Sequence, residues 1–215
     1  MKVTKREHAC LVVEHDGASL VIDPGSFTAP FQVENLVGIV VTHEHADHVT
    51  PEHLERLLGR ASGAALFAPQ GVVDAHPGFS WRVVDGGDVI DAAPFELAFF
   101  GGRHATIHRS IPVVDNVGVM VNETLYYPGD SFTVPEREVD TLAVPSSAPW
   151  LKIGEVMDYL DSVRPRRAFS THERVNSAAG QAMANARIRH VTELHGGAFT
   201  ALEPGDTIDL DGGAA

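Results

Sequence analysis

The sequence predicts an α+β protein in which two mixed β-sheets pack face to face with helices on the outside. Short apolar or β-branched segments dominate the chain, helical segments follow groups of them, and this order occurs twice. Two weak internal sequence similarities agree with duplicated halves of the chain. Thr42–Glu44 resembles Thr171–Glu173, and Gly87–Ile90 resembles Gly205–Ile208.

The bulk composition favours one globular unit. The chain has 215 residues, 44% of them hydrophobic, which is enough for one sizeable core. Without a linker or low-complexity segment, we predict a single domain over residues 1–215. The net charge of −13 disfavours nucleic acid or an anionic membrane as a partner. With no secretory signal and no apolar segment of about 18 residues, we expect a cytoplasmic protein.

The predicted strands begin with Leu11–Val13, Ser19–Ile22 and Gly38–Val41. The last of these is apolar at every position, which is typical of an interior strand covered on both faces. Asn122-Glu123 is a candidate hairpin turn. Further strands are predicted at Ala64–Phe67, Ser80–Val84, Phe95–Phe100, Val117–Val121, Thr124–Tyr127, Thr141–Val144 and Ala168–Thr171, with a turn and strand over Glu203–Ile208.

Three helices are predicted. Thr50 is a good N-cap and is followed by proline and by leucines at helical spacing, which indicates a helix over Pro51–Gly59. An apolar stripe at i, i+3, i+4 and i+7 predicts a helix over Ile153–Val163. An alanine-rich segment predicts a weaker helix over Ser177–Arg187.

The strongest functional signal is the run from Thr42 to His48, which contains three histidines and an aspartate. His43 and His45 lie two positions apart, and in extended backbone this spacing puts both side chains on one side of the chain. Asp47 and His48 point differently and suit a second ion nearby. Because the run lies between an apolar strand and a capped helix, we interpret it as a metal site and not as a solvated loop.

This run resembles the His-x-His-x-Asp-His signature of the metallo-β-lactamase superfamily. The segment Leu20–Gly25 is similar to that family's strand ending in aspartate, and Tyr127–Ser131 is similar to its Gly-Asp motif. The resemblance covers nearly the whole chain. It implies a four-layer αβ/βα sandwich with the metals at one edge, between the two sheets. His8-Ala9, the Asp23-Pro24-Gly25 turn and Pro128-Gly129-Asp130 resemble the compact, ascorbate-phosphate lactonase-like branch of the family.

The resemblance also implies a set of seven ligands. The first metal would be held by His43, His45 and His104, with His108 as the rival of His104. Asp47, His48 and His172 would hold the second metal, with His195 as the alternative to His172, and Asp130 would bridge the two ions.

Two further residues have open interpretations. Asp23 is either a turn residue or, as the resemblance implies, an acceptor that orients a ligand imidazole. His8 either approaches the site, as in the lactonase-like branch, or is an exposed histidine at the start of a strand.

The expected reaction is hydrolysis of a small ester, lactone or phosphoester at two divalent ions, with zinc first and manganese or iron as alternatives. A hydroxide bridging the ions would attack, and Asp47 or Asp130 would accept the proton. No Gly-x-Ser-x-Gly elbow is present, so no covalent nucleophile is expected.

The expected partner is a small-molecule substrate. Trp150 and Lys152 are candidates for its pocket, although Trp150 could instead pack the next helix onto the core. Arg103, Arg109 and Asn116 are further candidates around His104. Three alternatives remain: a phosphodiesterase or nuclease, an iron-bearing redox relative, and a non-catalytic metal-binding protein. The only basic cluster for a nuclease, Arg164, Arg166 and Arg167, flanks a helix end and fits capping better.

Overall fold

A computed structural model describes residues 1–211, which form 14 strands and four α-helices. The strands are β1 Lys2–Lys5, β2 Leu11–His15, β3 Ala18–Ile22, β4 Leu36–Val40, β5 Ala65–Ala68, β6 Trp81–Val83, β7 Val89–Ala92, β8 Phe95–Arg103, β9 Asp115–Val121, β10 Leu125–Tyr127, β11 Thr141–Pro145, β12 Arg167–Thr171, β13 Ala198–Phe199 and β14 Thr207–Asp209. The helices are α1 Pro51–Leu58, α2 Gln70–Ala75, α3 Ile153–Val163 and α4 Ala178–Leu194.

The strands form two seven-stranded mixed sheets. The first has the order β14-β1-β2-β3-β4-β5-β6, and the second has the order β13-β12-β11-β10-β9-β8-β7. Counted from β14 in the first sheet and from β7 in the second, both sheets have three antiparallel pairs followed by three parallel pairs. The two sheets therefore repeat one topology, with β14 from the end of the described chain completing the first sheet.

The shared topology of the two sheets explains one of the two internal sequence similarities. Gly87–Ile90 and Gly205–Ile208 both lead into the strand at the antiparallel edge of a sheet, β7 and β14. Thr42–Glu44 follows β4, the fifth strand from that edge, whereas Thr171–Glu173 follows β12, the sixth in its sheet. The similarity between Gly87–Ile90 and Gly205–Ile208 thus reflects equivalent positions in the two sheets. The similarity between Thr42–Glu44 and Thr171–Glu173 joins positions that are not equivalent.

Three apolar layers hold the sheets and helices together. The central layer lies between the sheets and includes Leu11, Val40 and Phe169. A second layer joins the first sheet to α1 and α2 through residues such as Ile39 and Leu54. The third layer joins the second sheet to α3 and α4. Because β4 contributes to two of these layers, it is covered on both faces, as its uninterrupted apolar sequence predicts.

The predicted fold class is confirmed, and most element boundaries agree within two residues. The helix predicted over Ile153–Val163 has these bounds in the structure. The prediction for the last helix was too short, because Ile188 and Val191 continue its buried face as far as Leu194. Helix α2 was missed because it has six residues and no side-chain cap. Asn122 and Glu123 form the predicted turn, with φ values of 49° and 50°.

The topology brings several strand ends to one edge of the sandwich. Strands β3 and β4 run parallel in the first sheet, and β10, β11 and β12 run parallel in the second. Strand β8 has the direction of β10, since both are antiparallel to β9. The loops that leave the carboxyl ends of these strands therefore meet at this edge, the site edge. Among the described residues, no helix is long and apolar enough to cross a membrane.

Candidate metal centre

The structure brings all seven predicted ligand residues to the site edge. His43, His45, Asp47 and His48 lie in the loop between β4 and α1. His104, Asp130 and His172 each follow a strand of the second sheet: β8, β10 and β12. The first sheet thus contributes four of the predicted ligands and the second sheet contributes three.

Three histidines form what we call the first pocket: His43, His45 and His104. One ring nitrogen of each lies within 4.8 Å of the corresponding atom of the other two. The rings of His43 and His104 have centroids 4.9 Å apart, and each ring lies 4.7 Å from that of His45. His43 and His104 are buried, whereas His45 is partly exposed.

Asp47, His48 and His172 form what we call the second pocket. Nε2 of His48 lies 3.1 Å from Nε2 of His172, and a carboxylate oxygen of Asp47 lies 3.5 Å from the latter atom. The ring of His8 also borders this pocket. Both ligand histidines are buried, and Asp47 is the member that solvent reaches, with 26% of its side chain exposed.

Asp130 lies between the two pockets. Its Oδ1 is 3.3 Å from His48 Nε2 and 3.2 Å from His172 Nε2, both in the second pocket. Its Oδ2 is 3.3 Å from His104 Nε2 in the first pocket. This arrangement has the geometry that a bridging carboxylate requires.

Hydrogen bonds fix the tautomers of the histidines in the second pocket. Nδ1 of His48 lies 2.6 Å from Asp23 Oδ2, and Nδ1 of His172 lies 2.5 Å from the carbonyl oxygen of Ser147. A carboxylate and a carbonyl only accept hydrogen bonds, so both Nδ1 atoms carry the proton. In each ring Nε2 is then the atom available to a cation, and the two Nε2 atoms face each other.

The same reasoning applies to the first pocket. His104 donates from Nδ1 to the carbonyl oxygen of Ala105. Thr42 uses its hydroxyl proton for Asp23, 2.7 Å away, so the hydroxyl oxygen accepts from His43 Nδ1 at 3.0 Å. Nε2 of both histidines is again left as an acceptor.

These acceptors have no donor among the described residues. Nε2 of His43, Nε2 of His104 and Oδ1 of Asp130 are buried and make no hydrogen bond. Buried polar atoms without partners are rare and costly, and lone pairs that converge on one space repel each other. Imidazole nitrogens and carboxylate oxygens are the donor atoms of zinc sites, so the residues present fit two divalent cations.

The pKa shifts of the site residues show how strongly these buried groups interact. Burial lowers the pKa of His48, but the carboxylates of Asp130 and Asp23 outweigh burial and hold that pKa well above its usual value. For His43, burial and then the charge of His48 keep the pKa well below its usual value. Burial acts to raise the pKa of Asp130, yet His48 and His172 hold it well below its usual range.

Asp23 and two glycines shape the backbone around the site. Asp23, with φ of 48°, accepts the Thr42 amide at 2.8 Å as well as His48, so the orienting role is the one the structure supports. A Cβ on Gly25 would lie 1.9 Å from the carbonyl oxygen of Asp47. Gly129 has a φ of 62°. Only glycine fits these two turns without displacing the ligand loops.

The two rival histidines lie elsewhere. His108 is exposed and bonds to Ser110, 2.7 Å away. His195 caps the end of α4 and pairs with Asp161 at 2.7 Å. The structure therefore places His104 and His172, and not these rivals, beside the other predicted ligands.

Three of the predicted pocket residues have other roles. Trp150 is buried and donates from Nε1 to Asp130 Oδ2 at 2.7 Å, so of its two open interpretations the structure supports packing against the site and not a substrate-facing wall. Asn116 is also buried and accepts from the Asp130 amide at 3.0 Å, so it holds the turn before Asp130. Lys152 is exposed and lies 3.7 Å from Glu155 at the start of α3.

The sequence offered no direct signal for the carbonyl acceptor of His172. Ser147 is buried, and its hydroxyl donates to the carbonyl oxygen of His172 at 2.6 Å while its own carbonyl accepts from the ring. Its position directly after a strand of the second sheet was the one available hint. Tryptophan at position 150 likewise has no motif that points to a carboxylate partner.

Comparisons with known proteins identify the family and the fold. The sequence profile described as β-lactamase superfamily domain matches residues 2–172. Protein Rv0786c of Mycobacterium tuberculosis is 37% identical over 199 residues, which cover 89% of this chain and 93% of that protein. The similar length of this relative fits the predicted compact branch.

Solved structures share the fold. Igni18, a metallo hydrolase from Ignicoccus hospitalis, has a TM-score of 0.72 and 21% identity, covering 96% of this chain and 97% of that one. CmlA, a diiron β-hydroxylase from Streptomyces venezuelae, has a TM-score of 0.71 and 15% identity, covering 97% of this chain and 54% of that one. The chain belongs to the β-lactamase superfamily domain family and has the metallo-β-lactamase fold, as its sequence motifs predict.

Proposed function

We propose that this protein is a binuclear metal-dependent hydrolase that cleaves a small ester, lactone or phosphoester. One observation carries the proposal: the Nε2 atoms of His43, His48, His104 and His172 converge with Asp130 in one buried space, where Nε2 of His43 and of His104 and Oδ1 of Asp130 have no hydrogen-bond partner. Without cations this arrangement is electrostatically unfavourable, whereas two ions would satisfy every one of these atoms.

The ligand sets divide between the two pockets. The first pocket would hold one ion through His43, His45 and His104, the second would hold the other through Asp47, His48 and His172, and Asp130 would contact both. When bound, two such ions activate water near neutral pH and polarise the scissile carbonyl or phosphoryl group.

The two predicted catalytic carboxylates differ in access. Asp130 has a buried side chain: its Oδ2 accepts from Trp150, and its two oxygens face the ligand histidines of both pockets. Asp47 is partly open to solvent. We therefore assign the acceptance of a proton to Asp47, and the placement of the two ions to Asp130.

Three basic residues bear on the nuclease alternative. Arg164 bonds to the carbonyl oxygen of Asp161, Arg166 lies 3.7 Å from Glu138, and Arg167 pairs with Asp140. These contacts support capping and pairing near the end of α3 and not a track for a polyanion. A small-molecule substrate is therefore the proposal, and a cytoplasmic location without nucleic-acid or membrane partners stays a prediction.

Zinc is the proposed metal because histidine and aspartate are its usual ligands in hydrolytic sites. Iron and manganese accept the same ligands, and a diiron enzyme shares this fold. Elemental analysis of protein purified without added metal distinguishes these cases. A dominant iron content, together with oxidation of substrates, would favour the redox alternative.

The decisive experiment assays wild type and Asp47→Ala on a panel of esters, lactones and phosphodiesters, with metal content measured for both. We expect wild type to bind about two ions per chain and to hydrolyse one substrate class, and Asp47→Ala to lose activity. His104→Ala and His108→Ala form a matched pair, since only His104 faces Asp130. Two bound metals with no turnover in any class would instead indicate a non-catalytic metal protein.

A further inference from the structure

His8, in the loop between β1 and β2, is a buried residue at the site edge that the proposed ligand set does not use. Its backbone φ is 62°, a strained value for a residue other than glycine. Its ring contacts the ring of His172, with centroids 3.8 Å apart. A strained, buried histidine against a ligand histidine requires an explanation.

The hydrogen bonds of His8 define its tautomer. The amide of Arg174 donates to Nδ1 at 3.3 Å, so Nδ1 bears no proton. In the neutral ring Nε2 then carries the proton, and it donates to Asp47 Oδ2 at 3.0 Å. His8 therefore donates to Asp47 Oδ2, the oxygen that lies 3.5 Å from His172 Nε2, and a second lone pair of that oxygen stays available for a cation.

A buried ion pair holds the loop that carries His8. Glu173 Oε1 lies 2.9 Å from Lys5 Nζ and accepts from the His8 amide at 3.0 Å. The amide of His172 donates to the carbonyl oxygen of His8 at 2.9 Å. The side chain of Lys5 is 1% exposed and that of Glu173 is 15% exposed. These contacts join the start of the chain to the His172 loop, 165 positions away.

We propose that His8 is a positioning residue of the second pocket: it orients Asp47 by donating from Nε2, and the Lys5–Glu173 pair holds it in place. The inference rests on the proposed two-metal function. It differs from a direct ligand role, because a ligand nitrogen must be bare whereas the Arg174 amide places the proton of His8 on Nε2.

The test compares His8→Gln with His8→Leu. Both replacements are close in size, but only glutamine has an amide N–H group to donate to Asp47. Zinc is titrated calorimetrically into metal-free wild type and both variants. His104→Ala and His172→Ala identify which binding step belongs to which pocket.

The inference predicts a selective loss. In His8→Leu the affinity of the second pocket should fall by roughly 10- to 100-fold, as expected for an outer partner of a metal ligand. The first pocket should keep its affinity, which shows in the same molecule that the variant is folded. His8→Gln should recover most of the affinity of the second pocket.

Four outcomes would overturn the inference. Loss of the second ion in both variants would make His8 a ligand, and equal weakening of both pockets would make it a general structural residue. Unchanged binding in His8→Leu, with two ions in wild type, would refute the inference alone. Fewer than two ions in wild type would refute the proposed function and the inference with it.

Discussion

The two pockets differ in how far along the chain their supporting contacts come from. In the first pocket, His43 and His104 are oriented by their sequence neighbours Thr42 and Ala105. In the second pocket, His48 is held by Asp23, 25 positions away, and His172 by Ser147, also 25 positions away. Asp47 is held by His8, 39 positions away.

The second pocket therefore depends on the packing of distant segments of the chain, whereas the first pocket depends mainly on local backbone. Substitutions remote from the metals should therefore affect the second pocket selectively. Asp130 is the exception, because it contacts both pockets.

The largest expected effect comes from Asp130→Ala, which tests whether the pockets form one centre. We expect both pockets to lose affinity and kcat/KM to fall by roughly 10³-fold, since bound metals stabilise the transition state by several kcal/mol. Metal content and activity are the measurements. Unchanged metal content would show that Asp130 does not bridge.

Lys5→Met probes the remote support of the second pocket. It leaves Glu173 partly buried without its cation, so the free energy of unfolding should fall by roughly 3 kcal/mol. Lys2→Met is the matched control, because Lys2 lies exposed on the same strand and should change stability by less than about 0.5 kcal/mol. Urea unfolding measures both, and similar effects of the two variants would contradict the role of the pair.

Trp150→Phe tests the hydrogen bond to the shared carboxylate. Removal of the indole donor should weaken metal binding in both pockets by about 10-fold. This is the lower end of the range expected when a residue that bonds to a metal ligand is replaced. Trp81→Phe is the control, since Trp81 also donates from its indole but bonds to the carbonyl oxygen of His76. An effect confined to one pocket would show that Asp130 serves that pocket alone.

The smallest expected effect is a difference in proton release. Burial lowers the pKa of His43 and His45, so both rings are neutral at pH 7. The pKa of His48 is held well above its usual value, so we expect metal binding to the second pocket to displace its proton, whereas His43 and His45 have none to release.

Because that proton competes with the metal, the second pocket should lose its ion first as the pH falls. Calorimetry in two buffers with different ionisation enthalpies measures the proton count. His104→Ala and His172→Ala isolate the two pockets. Equal proton release would contradict the predicted difference in charge.

Much of the fold follows from local patterns in the sequence. The apolar run of β4, the proline-led start of α1 and the stripe of α3 each depend on neighbours within a few residues. The short helix α2 and the last two turns of α4 were not predicted, because their stability comes from packing and not from capping or composition.

The ligands that lie close together along the chain could be identified from local spacing. His43, His45, Asp47 and His48 are separated by at most five positions, so spacing and the flanking strand and helix suffice to relate them. Their family resemblance then indicated His104, Asp130 and His172.

The residues that orient these ligands could be identified only from the folded chain. His8, Ser147 and Trp150 reach the site because the ends of several strands meet at one edge of the sandwich. No local pattern encodes such contacts, since hydrogen bonds between distant segments depend on sheet order and packing. Spacing along the chain determines which groups can share an ion. Packing in space determines which hydrogen-bond partners those groups have, and therefore where their protons lie.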